Sequence, residues 1–472
     1  MAAAFTETYV QQTGSNLNAG STTSNTAAFT YAGGSWVAGT GVFTVASGNP
    51  LTDGVAVGDW ASIYVTAGAT VATFIARITA RDATTVTVSL TAKSGTAPAD
   101  GTGTLTMKVG GAWKGPNGSE VFPFGFIQST HMNASNNTPR VNFKDGTDYS
   151  ITTTMTSNQQ GPITFEGYTT TVGDGGRAWF DGGTTGTSFV LLSNTQNYNR
   201  FINLGLKNNG NSGTARDGFT NTGNSVLFYG LIAHDIYRTG IQTQGNTSAK
   251  YCEVYSANQS NTVNQGGFSF ASAGSSLERC VSHSNRNGTN GNGFILDTSL
   301  NFIMCLSVNN QGHGVISNGD TNQNFYFSDF CFNGGEGFRF NGGSQVMQSS
   351  FTNCNFIGNG GYGILFRSFG HGGTLNNCGF GSGTMANASG NISSVEPWAV
   401  VEYGTITYTA NTNPYADYVN GNFSLTSSQS LAKGVSNFLM TKVGYGGTVA
   451  YTDVGAGAGQ SSGGSGGYAF SS

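Results

Sequence analysis

The sequence predicts an all-β chain built around a single-stranded parallel β-solenoid, with a small N-terminal β-barrel or sandwich and a short C-terminal β cap. Three observations predict it. Five cysteines, Cys252, Cys280, Cys305, Cys354 and Cys378, recur at spacings of 28, 25, 49 (two turns) and 24 residues, each with an apolar residue three places before it. Those residues are Ala249, Leu277, Phe302, Phe351 and Leu375. Seven Gly-apolar pairs, from Gly218-Phe219 to Gly363-Ile364, keep the same beat of about 24 residues, a period typical of stacked coils. Finally, the 472 residues include 73 Gly and 32 Phe but only 9% charged residues, a composition that favours strands and turns over helices.

Composition also excludes several classes. Aromatics at 12% argue against disorder, and glycine without a Gly-X-Y period rules out collagen. A net charge of -4 gives no electrostatic reason to bind nucleic acid or acidic lipid. No apolar run approaches the roughly 18 residues that a membrane span needs. Met1 to Gly14 lacks the basic and apolar regions of a secretory signal. No pattern calls for a cofactor or a bound metal.

The elements follow in order. Residues 1–110 form an N-terminal β-rich attachment module: Ala61–Val65, Ala72–Ala80 and Thr84–Leu90 alternate apolar and polar residues between short turns. Residues 111–139 are a linker and capping segment. Its aromatic-rich part, Trp113–Phe126, either covers the first coil, whose open end would expose strand edges, or is a plain connector. The β-helix occupies 140–392, C-terminal strands 393–454, and a Gly/Ser-rich tail 455–472. Within each coil the Cys position, the residue two after it and the residue three before it point inward. Lys250, Glu253, Glu278, Arg279, Asp329 and Asn355 fall on the solvent side. The cysteines read as free, buried thiols of a chain that folds in a reducing compartment, although neighbours in the column are close enough for some pairs to be bridged. Asn285, Asn310, Asn333 and Asn359, each five residues after a Cys-column position, read as an amide ladder at a turn.

Chemistry is sparser. Asp235, Glu253 and Glu278 are weak catalytic candidates, with Asp329 in the outward column of Glu253 but three coils, about 14 Å, away, too far for a glycosidase pair. No clustered aspartates suggest calcium-dependent lysis. His234 and His283 share a column with Tyr255 between them, too far apart to converge on a metal. With Tyr237 and Tyr251 adjacent, Tyr255 belongs to an aromatic row suited to the face of a sugar.

Gly161–Gly183 (GPITFEGYTTTVGDGGRAWFDGG) resembles the entry coil of right-handed parallel β-helix proteins, in which I-x-x-x-G-Y precedes T-x-G-D-x-G-R and a strand ending D-G. Val109–Trp113 is similar to the motif opening their capping segment. Asn420–Leu425, Ala432–Gly434 and Asp453–Ala456 are similar to their closing pattern, although Gln429–Lys433 departs from the usual S-P-A-I-D run. The likeness is to pectate-lyase-like and phage-tailspike-like proteins of phage and environmental origin, and its motifs are structural turns.

That resemblance, with the low charge and two-module layout, implies a phage virion structural protein: a tailspike, fibre or capsid-attached decoration projecting a β-helix and binding a surface glycan. It also implies a homotrimer, attachment to other virion proteins through the N-terminal module, and assembly in a host cytoplasm. Two alternatives stay open: a polysaccharide lyase or hydrolase on the same fold, and a bacterial surface adhesin with an extracellular location.

Overall fold

A computed structural model describes residues 7–382 with short gaps, of which 116–139 is the longest, and beyond them only the strands at 392–394, 400–403, 407–408, 415–417, 422–425, 438–441 and 448–451. Most of the capping segment and the Gly/Ser tail lie outside the described residues. The chain is all-β, with a parallel β-solenoid and a closed antiparallel barrel. It divides into two units, residues 1–182 with 192–205, and residues 183–191 with 206–472.

The first unit opens with β1 (Glu7–Val10), followed by the barrel strands β2 (Phe29–Val37), β3 (Val42–Thr44), β4 (Trp60–Val65), β5 (Phe74–Arg81), β6 (Thr85–Gly95) and β7 (Leu105–Val109). They close in the order β2-β3-β6-β5-β4-β7. Closure removes the free edges that a small antiparallel sheet would otherwise expose. The alternation seen in the sequence fills this barrel: Phe43, Ile63, Phe74, Ile78, Val86 and Met107 are almost wholly buried. β1 does not join the barrel. It pairs in parallel with β8 (Arg140–Lys144), which in turn pairs with Thr164–Tyr168. The chain therefore donates the outermost rung before the barrel and the next rung after it. On its other edge β1 meets Trp113, whose amide donates to Tyr9 O at 2.9 Å and whose carbonyl accepts from Gln11 N at 2.8 Å. Trp113 is 1% exposed, and its indole N–H donates to Asn18 O at 2.9 Å. So Trp113 covers part of the edge that a solenoid end exposes. The Asp of the T-x-G-D-x-G-R loop is a turn residue. The Asp174 carboxylate accepts the amides of Thr169, Thr170, Thr171 and Gly176 at 2.9, 2.6, 2.9 and 3.0 Å, which holds its carboxyl well below the usual range.

The second unit repeats three strands per coil, each pairing in parallel with its counterpart one coil on. The first sheet includes Val226–Tyr229, Thr247–Lys250, Ser276–Glu278, Asn301–Ile303, Asn324–Tyr326 and Met347–Thr352. The second includes Ile232–Ile236, Glu253–Tyr255, Val281–His283, Leu306–Val308, Asp329–Cys331 and Asn355–Asn359. The third includes Phe219–Asn221, Ile241–Thr243, Gly266–Phe270, Asn292–Leu296, Val315–Ser317, Phe338–Phe340 and Ile364–Phe366. Pairing runs past the point where the sequence period fades: Ile364 faces Ile392, Leu375 faces Glu402 and Phe380 faces Tyr408. Parallel backbone bonding needs no side-chain repeat, so a coil persists where the periodic residues have gone.

The core is a set of ladders. Phe219, Ile241, Phe268, Phe294, Val315, Phe338 and Ile364 stand in register along the third sheet, all fully buried. Each follows a glycine because the next coil leaves no room: a Cβ on Gly337 would sit 2.7 Å from Gly363 O and 2.8 Å from Asn359 Nδ2. Phe325 stacks on Phe351 at 4.8 Å and Phe330 on Phe356 at 5.0 Å. All six cysteines are free and buried. Within the column, Cys305 Sγ accepts the amide of Cys280 at 3.4 Å, and in the coil whose column position is a serine Ser328 Oγ accepts the amide of Cys305 at 3.1 Å. Burial pushes the thiols of Cys252, Cys280 and Cys354 well above their usual range, where they are inert as nucleophiles. Cys331 sits one position beyond inward Phe330, on the outward register of the second sheet, and is buried all the same.

Candidate functional site

The outward residues of the second sheet do not form an open carboxylate face. His234, Tyr255 and His283 stack with ring centroids 4.8 and 5.0 Å apart and planes within 5° and 14°. Both faces of Tyr255 are thus covered by imidazoles, leaving only its edge. Glu253 Oε1 lies 3.0 Å from His283 Nε2, and Asp235 Oδ2 lies 2.7 Å from His234 Nδ1, a hydrogen bond that holds the Asp235 carboxyl below its usual range. Asp329 is 2% exposed and accepts from the Asn355 amide at 3.0 Å. Glu253, Asp329 and Asn355 have the outward register expected of them, but they are buried rather than solvent-facing.

The first sheet carries a more open cluster. Lys250 Nζ is 2.9 Å from Glu278 Oε2, and Arg279 Nε is 3.9 Å from Glu278 Oε1. The Arg279 guanidinium lies 5.1 Å from the centre of the Tyr251 ring and donates to the Tyr251 hydroxyl. Tyr229, 36% exposed, approaches the Tyr251 ring at 5.2 Å and 58°. Tyr251 and Arg279 occupy the left-handed corner between the first and second sheets, with φ of 55° and 54°. This conformation is costly for non-glycine residues, and here it recurs coil after coil at Met304, Phe327 and Asn353. Tyr237 follows strand Ile232–Ile236, at the opposite end of the second sheet from Tyr251, so the three tyrosines singled out in the sequence are not one surface.

A third cluster was missed in the sequence. Asp217, Thr239, Asn292, His313, Glu336 and Tyr362 each directly precede a glycine of the Gly-apolar repeat, and so form a row at the entry to the third sheet. Asp217 Oδ1 accepts the Thr239 amide at 3.0 Å, and Asn292 Oδ1 accepts the His313 amide at 2.9 Å. His313 Nδ1 contacts the Glu336 carboxylate, and its Nε2 lies 2.7 Å from Arg339 Nη1. Arg339 Nε donates to Asn341 Oδ1 at 2.7 Å, and Glu336 Oε2 is 3.8 Å from Arg339 Nη1. Burial raises the carboxyl of Asp217 despite Arg238, whose Nη1 lies 3.9 Å away. At Glu336 burial pulls the same way, but the His313 hydrogen bond and the Arg339 charge outweigh it and hold the carboxyl below its usual range. The position before each glycine of the marker was the available signal.

These groups do not form a glycosidase pair. Burial also raises the carboxyl of Asp297. Asp297 sits two coils and five strand positions from Glu336, because Leu296, Ser317 and Phe340 share a register. Strand rise and spacing put their backbones roughly 19 Å apart, beyond both the retaining and the inverting geometry. Glu278 and Glu253 are each engaged by a basic partner. Among the described residues no three His, Cys, Asp or Glu side chains come together to hold a metal ion.

No protein-family model and no curated protein matches the chain. Among solved structures it is similar to the pectate lyase Pel9A, at 16% identity and a TM-score of 0.47 over 69% of this chain and 90% of that one. It is also similar to the A-module of the Azotobacter vinelandii mannuronan C-5 epimerase AlgE6, at 14% identity and a TM-score of 0.37 over 58% of this chain and 90-odd per cent (91%) of that one. A third is the tailspike protein gp49 of Pseudomonas phage LKA1, at 12% and 0.25 over 81% of this chain and 67% of that one. Pectate-lyase and tailspike structures, the two groups the sequence motifs resemble, are thus both among its structural neighbours. Likeness at this level says nothing of substrate or activity.

Proposed function

We propose that the chain is a structural protein of a phage particle, a tailspike, fibre or capsid-attached decoration, that projects its solenoid and binds a surface glycan. The observation that carries the glycan reading is the Tyr229–Tyr251–Arg279 cluster, with Lys250 and Glu278 beside it. It combines exposed aromatic surface with donors and an acceptor fixed by one another, the mixture that orients a sugar ring. The particle reading is supported by the motif resemblance, the low charge density and an N-terminal barrel whose strands close into a sheet of their own. In this reading the barrel attaches to other virion proteins, the chain is a homotrimer, and it assembles in the host cytoplasm.

The cluster is tested on a glycan array with wild type, Tyr229→Ala and Tyr251→Ala. Binding lost in both variants while the fold is retained supports the reading; undiminished binding removes the cluster from it. Light scattering during size-exclusion chromatography tests the assembly, and a clean monomer at micromolar concentration sinks the fibre reading. Incubation with host polysaccharide, followed by assay for reducing ends or unsaturated products, separates binding from cleavage.

A further inference from the structure

The row at the entry to the third sheet lies apart from the Tyr251 cluster and has different chemistry. Arg339 points outward from the middle of strand Phe338–Phe340, in register with Ile316 on one coil and Leu365 on the next. These apolar neighbours give the guanidinium a partly desolvated floor, with Ile316 4% exposed. His313 is wedged between Arg339 and Glu336, its side chain 8% exposed against 21% and 15% for theirs. Tyr362 takes the next place in the row, half-buried, with no side-chain hydrogen bond or ring contact among the described residues.

Three groups meet the His313 ring: the Glu336 backbone amide donates to Nδ1 at 3.0 Å, the Glu336 carboxylate contacts the same nitrogen, and Arg339 Nη1 lies 2.7 Å from Nε2. Glu336 Oε2 and Arg339 Nη1 are 3.8 Å apart, so their opposite charges offset one another and the ion pair has no net charge to offer an ion. What the cluster offers is a carboxylate acceptor, guanidinium donors, an apolar floor and an aromatic ring within three successive coils. Sugar hydroxyls donate and accept at once, and the C–H face of a pyranose packs on apolar and aromatic surface.

We propose that His313, Glu336, Arg339 and Tyr362 form a second carbohydrate-binding site, one that takes an uncharged sugar residue. Glu336 accepts from ring hydroxyls, Arg339 donates to them, Tyr362 packs on the ring, and His313 positions the two charged groups. An acidic sugar is selected against, because its carboxylate would face that of Glu336.

The test is calorimetric titration of the full chain with maltohexaose, cellohexaose, laminarihexaose and isomaltohexaose, and with oligogalacturonate as the acidic control. At least one neutral hexasaccharide binds, and Tyr362→Ala and Arg339→Met each weaken it by at least about tenfold, or 1.4 kcal/mol. Tyr362→Phe, which keeps the ring, binds as wild type does and controls for folding. The titrations are repeated in the Tyr251→Ala background, where any binding that still depends on Tyr362 and Arg339 belongs to this site, so failure here and failure of the Tyr251 cluster are told apart. The proposal is overturned if none of the four neutral sugars binds, if Tyr362→Ala and Arg339→Met bind as wild type, or if oligogalacturonate binds better and depends on Arg339.

Discussion

Two rows of polar side chains run along the second unit, and comparing them separates scaffold from site. In the inner row, Asn285 donates to Asn310 at 2.7 Å, Asn310 to Asn333 at 2.9 Å and Asn333 to Asn359 at 3.0 Å. Each acceptor oxygen also takes the backbone amide of the preceding asparagine, at 3.2, 3.3 and 3.1 Å. The outer row, Asp217, Thr239, Asn292, His313 and Glu336, uses similar contacts from one coil to the next but with a different residue at nearly every step. The inner asparagines are at most 1% exposed, so every coil presents the same donors and acceptors and demands the same neutral amide. The outer row is also largely buried, from Asn292 at 1% to His313 at 6%, but its carboxylates have cations beside them, Arg238 at Asp217 and Arg339 at Glu336, and such partners tolerate charge and variety. Uniformity marks the scaffold, and departure from it marks where chemistry is available.

The sharpest way to break the comparison is Asn310→Leu. It leaves the Asn285 backbone amide without its acceptor, removes one of the two donors to Asn333 Oδ1 and breaks the side-chain chain in the core, and should cost about 3 to 5 kcal/mol in denaturant unfolding. A loss under about 1 kcal/mol would mean the ladder is not a closed network. Next is the cysteine column, where Cys305→Phe should cost about 2 to 3 kcal/mol by overpacking a coil flanked by two others. Cys305→Ser should cost only about 1 kcal/mol, since Ser328 already fills a place in that column, and equal melting temperatures for the two variants would count against an interior column. In the outer row Glu336→Gln should cost about 0.5 to 1 kcal/mol at pH 7 after allowing for solvent screening. The sign with pH is set by its lowered carboxyl: the folded state holds the proton less tightly than the unfolded, so the contribution is present above the ordinary carboxylate range and lost as pH falls through the folded value. Wild type and Glu336→Gln should therefore converge in stability below about pH 4, and a gap that widens in acid would reverse the assignment. The smallest effect belongs to Tyr251→Ala, an outlying position whose loss should shift stability by about 1 kcal/mol or less and be read mainly in glycan binding.

The inner half of the molecule was legible in the sequence because each inward residue meets its own equivalent one coil away. Cys305, Phe302, Asn310 and the Gly-apolar pairs repeat for that reason, and the barrel strands alternate because one face of each is buried. The outer half was not. Glu253 and Asp329 had the right register for an exposed carboxylate face, but register says which way a side chain points and not what covers it. Tyr255 looked like a sugar platform until His234 and His283 were found on its two faces, a fact about ring planes that spacing does not encode.

By itself, then, the sequence determined the coil period, the inward columns and the β-rich character of the N-terminal module, since repeated burial imposes repeated residue types, while its closure as a barrel was read from the structure. Tertiary structure alone decided that β1 joins the solenoid before the barrel intervenes, and that His313, Glu336 and Arg339 come together. Those contacts join residues of unlike type on neighbouring coils, or strands far apart in the chain, and no periodicity requires them.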